Sequence, residues 1–440
     1  MRFVSSRGQA RAVSFTQALF ANLAPDGGLW CPERLAPLDG GFLERLHALA
    51  PGAVASRVAA HLLGDEIPRE ALDALIDQSL DFPIPLRPIG NGGWALELFH
   101  GPTLAFKDIG ARCMARLMDH CGRATAGRDR ASDDGVITVL VATSGDTGSA
   151  VAHAFRGLAG FRVVVLYPDG RISEPQRKLF TTLGGNVSSL AVAGSFDDCQ
   201  RLVKEAFADA GLCERLRLAS ANSINVGRLL PQVLYYFLAV AQLPAASQPP
   251  VIATPSGNFG NLTAGLYAKR LGLPVRRFVA ATNVNDVVPE YLETGIFRPR
   301  PSLATLSNAM DVGDPSNLER ILHLYGGDLD ALRRDLAGSR HTDDEVTAAI
   351  RRVHADHGYV LDPHSAVGWL ALEALRAEHP ESPAIVLATA HPAKFPAAVE
   401  AALGIEIDVP PALEEPMSRP EATVKIAAAY GALREILGVL

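Results

Sequence analysis

Val251-Ile252-Ala253-Thr254-Pro255-Ser256-Gly257-Asn258-Phe259-Gly260-Asn261 is the stretch that decides the fold. Its first four residues read as a strand. A turn with two glycines follows, and a helix opens behind it. A strand that feeds a glycine loop and then a helix is half of a βαβ unit. Residues 136–142 repeat the pattern. A β-branched run leads into Thr143-Ser144-Gly145-Asp146-Thr147-Gly148 and a helix from Ser149. Working outward, strands are predicted at 94–99, 162–166, 275–280 and 385–388, with a helix over 108–118. Strands alternating with helices imply an α/β fold built on parallel sheets covered on both faces.

The chain has 440 residues, enough for two or three domains of roughly 100–200 residues each. Before the strands begin, the pattern is helical: 53–63, closed by Gly64, and 68–80, with Leu72, Leu75, Ile76 and Leu80 at helical spacing. This predicts a mostly helical N-terminal accessory region. Thr342-Asp343-Asp344-Glu345 is a capping box that opens a helix ending at Gly358, and Asp362-Pro363 opens another. Residues 122–135 are polar, Arg- and Asp-rich and without period, so they read as a loop between two α/β units.

Net charge is −7, with 48 acidic and 41 basic residues. That balance gives no electrostatic footprint for nucleic acid or an anionic membrane. The longest apolar run, 233–241, falls far short of the ~20 residues of a membrane helix. Cys31, Cys113, Cys121, Cys199 and Cys213 contain no CxxC pair and read as reduced thiols. The N-terminus has no apolar signal core. A cytoplasmic location is expected.

The two glycine loops aim backbone N–H groups and a helix dipole at one spot, and glycine lets an anion come close. Neither loop is GxxxxGK[ST] or GxGxxG, so nucleotide readings lack their signatures. Glycines alone serve any tight βα turn. Two such loops, both rich in Ser, Thr and Asn, point to a small phosphate at 256–261 and a carboxylate at 143–148. Only six of the basic residues are lysines, which shortens any search for an amine nucleophile. Lys178, Lys204 and Lys269 fall within helical segments and read as surface residues. Lys107 and Lys394 both follow strand ends. Lys107 at a helix start would have its ammonium disfavoured by the dipole and by burial, which suits a Schiff-base amine. His354, His357 and His364 look superficially metal-like, but no HExxH or Cys/His spacing supports a metal. No GxSxG elbow occurs, so a serine hydrolase fits poorly.

Glu97-Leu98-Phe99-His100-Gly101-Pro102-Thr103-Leu104-Ala105-Phe106-Lys107-Asp108 resembles the pyridoxal-phosphate lysine motif of the threonine synthases. So do 142–148, 255–260, Ala281-Thr282-Asn283-Val284-Asn285-Asp286 and Thr389-Ala390-His391-Pro392-Ala393-Lys394-Phe395, in the order of the longer bacterial and fungal type. The likeness runs from Asp26-Gly27-Gly28-Leu29-Trp30 to about residue 410. The loop 122–135 and the last residues depart from it.

The resemblance implies two α/β domains of pyridoxal-phosphate fold type II. The corresponding divisions are an N-terminal region 1–90, a large cofactor domain 91–128 with 216–410, a small domain 129–215 and an extension 411–440. It implies that Lys107 carries the Schiff base, settling its contest with Lys394. Gly257, Asn258, Phe259 and Gly260 would hold the cofactor phosphate, and Thr389 would meet the ring nitrogen. Thr143, Ser144, Gly145, Asp146 and Thr147 would surround the substrate carboxylate and the cofactor's phenolic oxygen. Asn222, Ser223 and Arg228 would meet a substrate phosphate. The implied reaction converts O-phospho-L-homoserine and water into L-threonine and phosphate, in a monomer or small homo-oligomer. A serine/threonine dehydratase or phospho-lyase of the same fold is the nearest alternative. A non-catalytic anion-binding protein is the more distant one.

Overall fold

The computed structural model describes residues 1–90, 92–126, 135–245 and 247–439. The N-terminal region begins with a small antiparallel sheet of β1 (Arg2–Ser5), β2 (Val13–Ser14) and β3 (Trp30–Pro32), in the order β2-β1-β3. Sequence reading missed this sheet. Strands of two to four residues are too short to display a period of two. The predicted helices follow as Pro51–Leu63 and Arg69–Ser79, each with one buried apolar stripe.

Next come β4 (Leu86–Gly90) and β5 (Gly93–Glu97). The second stretch holds β6 (Ile137–Ala142), β7 (Phe161–Pro168), β8 (Val187–Ala193) and β9 (Ala219–Ser220). The third holds β10 (Val251–Pro255), β11 (Arg277–Thr282), β12 (Leu336–Arg340) and β13 (Ala384–Ala388), and β14 (Val424–Ala427) closes the chain. They form two sheets. One has six strands in the order β12-β11-β10-β13-β5-β4, parallel except for the edge hairpin β4–β5. The other has five parallel strands in the order β14-β8-β7-β6-β9. Every residue of β6, β10 and β13 is buried, which is why these strands read as continuous apolar runs and not as alternation. The apolar run Val233–Ala241 is a core helix with eight of its nine residues buried.

Several segments sit away from where the sequence reading placed them. Strand β4 lies within the stretch given to the N-terminal region but pairs with β5. Strand β9 lies beyond 215 but joins the five-stranded sheet beside β6. The stretch 411–440, set apart as an extension, returns to that same sheet. There β14 pairs with β8, and helix Tyr430–Gly438 buries Leu433 and Leu437 against it. Such partners are far apart in sequence, and strands this short carry no readable pattern. The helix predicted over 108–118 runs Lys107–Ala126, so 122–126 are helical and not loop. The rest of that expected loop, 127–134, lies outside the described residues.

Because β5, β10 and β13 run in parallel, their C-terminal ends emerge on one side of the large sheet. The loops after them face the loop after β6 across a cleft, the usual place for a ligand in parallel α/β sheets. Among the described residues, no helix is long and apolar enough to cross a membrane.

Candidate active site

The strap 98–106 carries Lys107 to the cleft. It is pinned to the end of β13 by backbone bonds from Leu98 to Ala388, from Phe106 to Thr389 and from His391 to Leu104. One tie therefore brings Lys107, Thr389 and Lys394 together. Asp108, one residue on, accepts from the Thr103 amide at 2.8 Å and hydroxyl at 2.6 Å. Burial pushes Asp108 up to about 6 against those bonds.

Lys107 Nζ lies 3.5 Å from Asp146 Oδ2, and Lys394 Nζ lies 2.6 Å from Asp146 Oδ1. Burial lowers the Lys107 amine below the usual lysine range. Asp146 opposes the shift, and the charges of Lys394 and Arg228 add to it. Burial alone would disfavour the Asp146 carboxylate. Lys394 and Lys107 outweigh burial and hold it well below the usual range.

The loop after β10 turns sharply at Phe259, whose φ of 58° is left-handed, and helix Gly260–Arg270 starts there. Burial of the Phe259 ring holds that conformation. Asn258 Nδ2 donates to Ser223 Oγ at 2.7 Å, and its Oδ1 accepts from the Ser316 amide at 2.6 Å. The loop after β6 is tied by the Thr143 hydroxyl, which accepts from the amides of Gly145 (2.9 Å) and Gly148 (2.8 Å).

The cleft has a cavity volume of about 110 Å³. Lys107, Ser144, Asp146, Thr147, Asn222, Ser223, Arg228, Gly257, Asn258, Phe259, Gly260 and Thr389 line it together. Thr143 and Gly145, expected at the substrate, do not. The Thr143 hydroxyl faces its own backbone, and Gly145 is wedged against the Gln176 carboxamide. Arg228 is 4% exposed, donates to the Ala221 carbonyl at 2.6 Å, and is brought by burial to about 10, where it stays charged at neutral pH.

Other lining residues escaped the sequence reading. His364 is one, dismissed with His354 and His357. Its Nδ1 meets Asp362 Oδ1 at 2.8 Å, and its Nε2 accepts from the Ala309 amide at 3.2 Å. The capping signal had located this helix start without revealing which way the ring faces. Met310 and Val312 arrive on a long loop that Asp311 straps down, accepting from Asn283, Asn285 and Thr305. Phe196 and Gln200 come from the small-sheet side, on helix Phe196–Ala208. Lys178, expected at the surface, instead donates to the Met417 carbonyl at 2.7 Å.

Three family models match this chain: pyridoxal-phosphate dependent enzyme over 84–390, threonine synthase N terminus over 2–80, and threonine synthase C-terminal over 365–437. Threonine synthase of Escherichia coli strain K12 is 44% identical over 99% of both chains. The chain belongs to the threonine synthase family. The last model also takes in residues beyond 410, where no resemblance had been visible. The crystal structure of threonine synthase from Escherichia coli matches with a TM-score of 0.92, at 43% identity over 100% of both chains. The pyridoxal-phosphate-bound threonine synthase from Brucella melitensis matches with a TM-score of 0.90, at 37% identity over 99% of this chain and 98% of the other. The protein is a threonine synthase, a pyridoxal-phosphate-dependent lyase of fold type II.

The cleft fits that cofactor. It offers a half-buried amine of lowered proton affinity, and a helix N-terminus where first-turn N–H groups lie outside the helical ladder. Gly257 packs so close to the loop behind it that a Cβ would meet Met310 Cα at 2.8 Å. Thr389 stands on the large-sheet wall of the same cleft.

Proposed function

We propose that the protein converts O-phospho-L-homoserine and water into L-threonine and phosphate in the cytoplasm, as a monomer or small homo-oligomer. One observation carries this reading. A single cleft joins the Lys107 amine, the 256–260 anion turn and a second, separate cationic group, the buried Arg228. A cofactor phosphate takes the first anion site, and a substrate with its own phosphate needs the second.

In this reading Lys107 holds pyridoxal phosphate, and the N–H groups of Gly257, Asn258, Phe259 and Gly260 hold its phosphate. Thr389 donates or accepts at the ring nitrogen. The bound cofactor supplies an electron sink for charge developing at Cα. Ser144 and Thr147 orient the substrate carboxylate, with Asp146 beside Lys107 and Gly145 shaping the loop. Ser223 Oγ accepts from both Asn258 and Asn317, so its own proton is free to donate to an anion. Arg228 adds a charged fork that suits phosphate, with Asn222 beside it. Lys107, as a neutral amine, moves protons at the substrate carbons. Burial of the Arg228 charge keeps it directed at the leaving phosphate and not at bulk water.

Phosphate release from O-phosphohomoserine with threonine detection, beside a Lys107→Ala control, tests the reading. Ready deamination of serine or threonine with no phosphate release would replace it by the dehydratase alternative.

A further inference from the structure

Lys394 is fully buried and does not line the cleft, yet its ammonium makes two short bonds. Nζ donates to Asp146 Oδ1 at 2.6 Å and to the Thr103 carbonyl at 2.8 Å. Gln176 Nε2 reaches the same Oδ1 at 2.9 Å. The other oxygen, Oδ2, faces Lys107. One carboxylate is thus divided between two lysines from different elements, the helix start at Lys107 and the turn Pro392–Lys394. A buried charge is costly unless paired, and an apolar side chain would fill this space without that cost.

We propose that Lys394 is a positioning residue for the lysine chemistry: it holds Asp146 Oδ1 so that Oδ2 alone meets Lys107, and it neutralises the carboxylate so that Lys107 is not locked into a full ion pair. The proposal rests on the reading of Lys107 as the cofactor lysine. The charged groups facing Lys107 are Asp146, Lys394 and Arg228. His364 lies near Asp146, and Asp108 lies near Arg228 and Lys394. Two cations and one carboxylate thus act on the Lys107 amine. Without Lys394, one cation and an uncompensated carboxylate remain, and a proton on Lys107 is favoured. Only the neutral amine attacks an aldehyde.

The test uses the full-length chain stripped of cofactor and mixed with pyridoxal phosphate across the neutral and alkaline range. The amine nitrogen bonds to the aldehyde carbon and water leaves. Borohydride then delivers hydride to that carbon, and the fixed bond is located by peptide mass. Lys394→Gln and Lys394→Met are expected to raise the pH midpoint of capture by about one unit and to slow capture at neutral pH roughly tenfold. Lys394→Arg keeps the cation and is expected to keep the midpoint. Lys394→Gln retains a donor for Asp146 and the Thr103 carbonyl, so it is the variant to read should Lys394→Met not fold. A folded Lys394→Gln with the wild-type midpoint overturns the proposal, as does a Lys394→Arg that shifts as far as the neutral variants. Capture on a lysine other than Lys107 in the wild type, or its persistence in Lys107→Ala, overturns the cofactor-lysine reading instead.

Discussion

Gly257 and Met310 approach so closely that a Cβ on Gly257 would stand 2.8 Å from Met310 Cα and 3.0 Å from the Ala309 carbonyl oxygen. Both obstacles are backbone and cannot rotate aside. Gly257→Ala must therefore push the 256–260 turn away from the loop that Asp311 straps. Overpacking of this kind costs about 1–3 kcal/mol. In the cofactor reading that cost falls on the phosphate turn, so pyridoxal-phosphate affinity should weaken about tenfold or more. Cofactor titration by absorbance checks this. Unchanged affinity would mean that the turn does not hold the phosphate.

A second prediction concerns acid. His153 is half-buried with Nε2 at 2.8 Å from the Leu179 carbonyl, and desolvation lowers it to about 4. Its unfolded value is about 6.5, so between those values the unfolded state binds more protons than the folded state. The stability it contributes is complete above pH 6.5 and is lost as pH falls toward 4. At a pH near 4.5 the loss amounts to about 2–3 kcal/mol. His153→Gln, which can keep the bond to Leu179 but does not titrate, should lose that much less between neutral and acid pH. Urea midpoints at the two pH values measure it. Equal losses in both proteins would sink the assignment.

Much of this was legible in the sequence, for reasons that particular residues make plain. The loops after β6 and β10 were readable because strand, glycine turn and helix follow within a dozen residues, and the scarcity of lysines narrowed the amine candidates to Lys107 and Lys394, between which only the resemblance chose. What stayed hidden depends on contacts across the chain. The dyad of His364 with Asp362 looks from sequence like a capped helix start, and only the fold turns its ring toward Ala309. Asn283 and Asn285 sit in a motif that resembles the family's, yet they act from outside the cleft by holding Asp311. Strand β14 was unreadable because its partner β8 lies more than 200 residues away.

The Asp311 strap gives a third prediction. Its carboxylate accepts from the Asn283 amide at 2.8 Å, from the Thr305 hydroxyl at 2.7 Å and from the Thr305 backbone at 3.0 Å. Burial pushes it up to about 6, so the hydrogen bonds work against a desolvation cost. Asp311→Ala removes that cost but leaves the half-buried Thr305 amide without its partner, a loss of about 1–3 kcal/mol, while Asn283 and Asn285 keep other acceptors. The loop carrying Met310 and Val312 should loosen. Cleavage within 303–312 under limited proteolysis should rise, and the cofactor should dissociate faster. No change in either would mean that the loop is held by its apolar contacts alone.

The last prediction separates substrate recognition from cofactor binding. Arg228 lines the cleft, buried and charged, and among the described residues its guanidinium donates only to the Ala221 carbonyl. A guanidinium has five donors, so others remain for an anion. Charge-assisted hydrogen bonds are worth about 1.5–3 kcal/mol each, and two lost together would cost a phosphate-bearing substrate about a hundredfold or more in kcat/KM. Arg228→Ala should therefore lose most activity on O-phosphohomoserine while cofactor absorbance stays unchanged. Arg228→Lys keeps the charge but not the fork and should fall between the two. Inorganic phosphate provides an independent readout: it should compete with substrate in the wild type and far less in Arg228→Ala. If phosphate inhibits both proteins alike, Arg228 does not meet the leaving group, and the second anion site must be sought among Asn222, Ser223 and Gln200 on the same cleft wall.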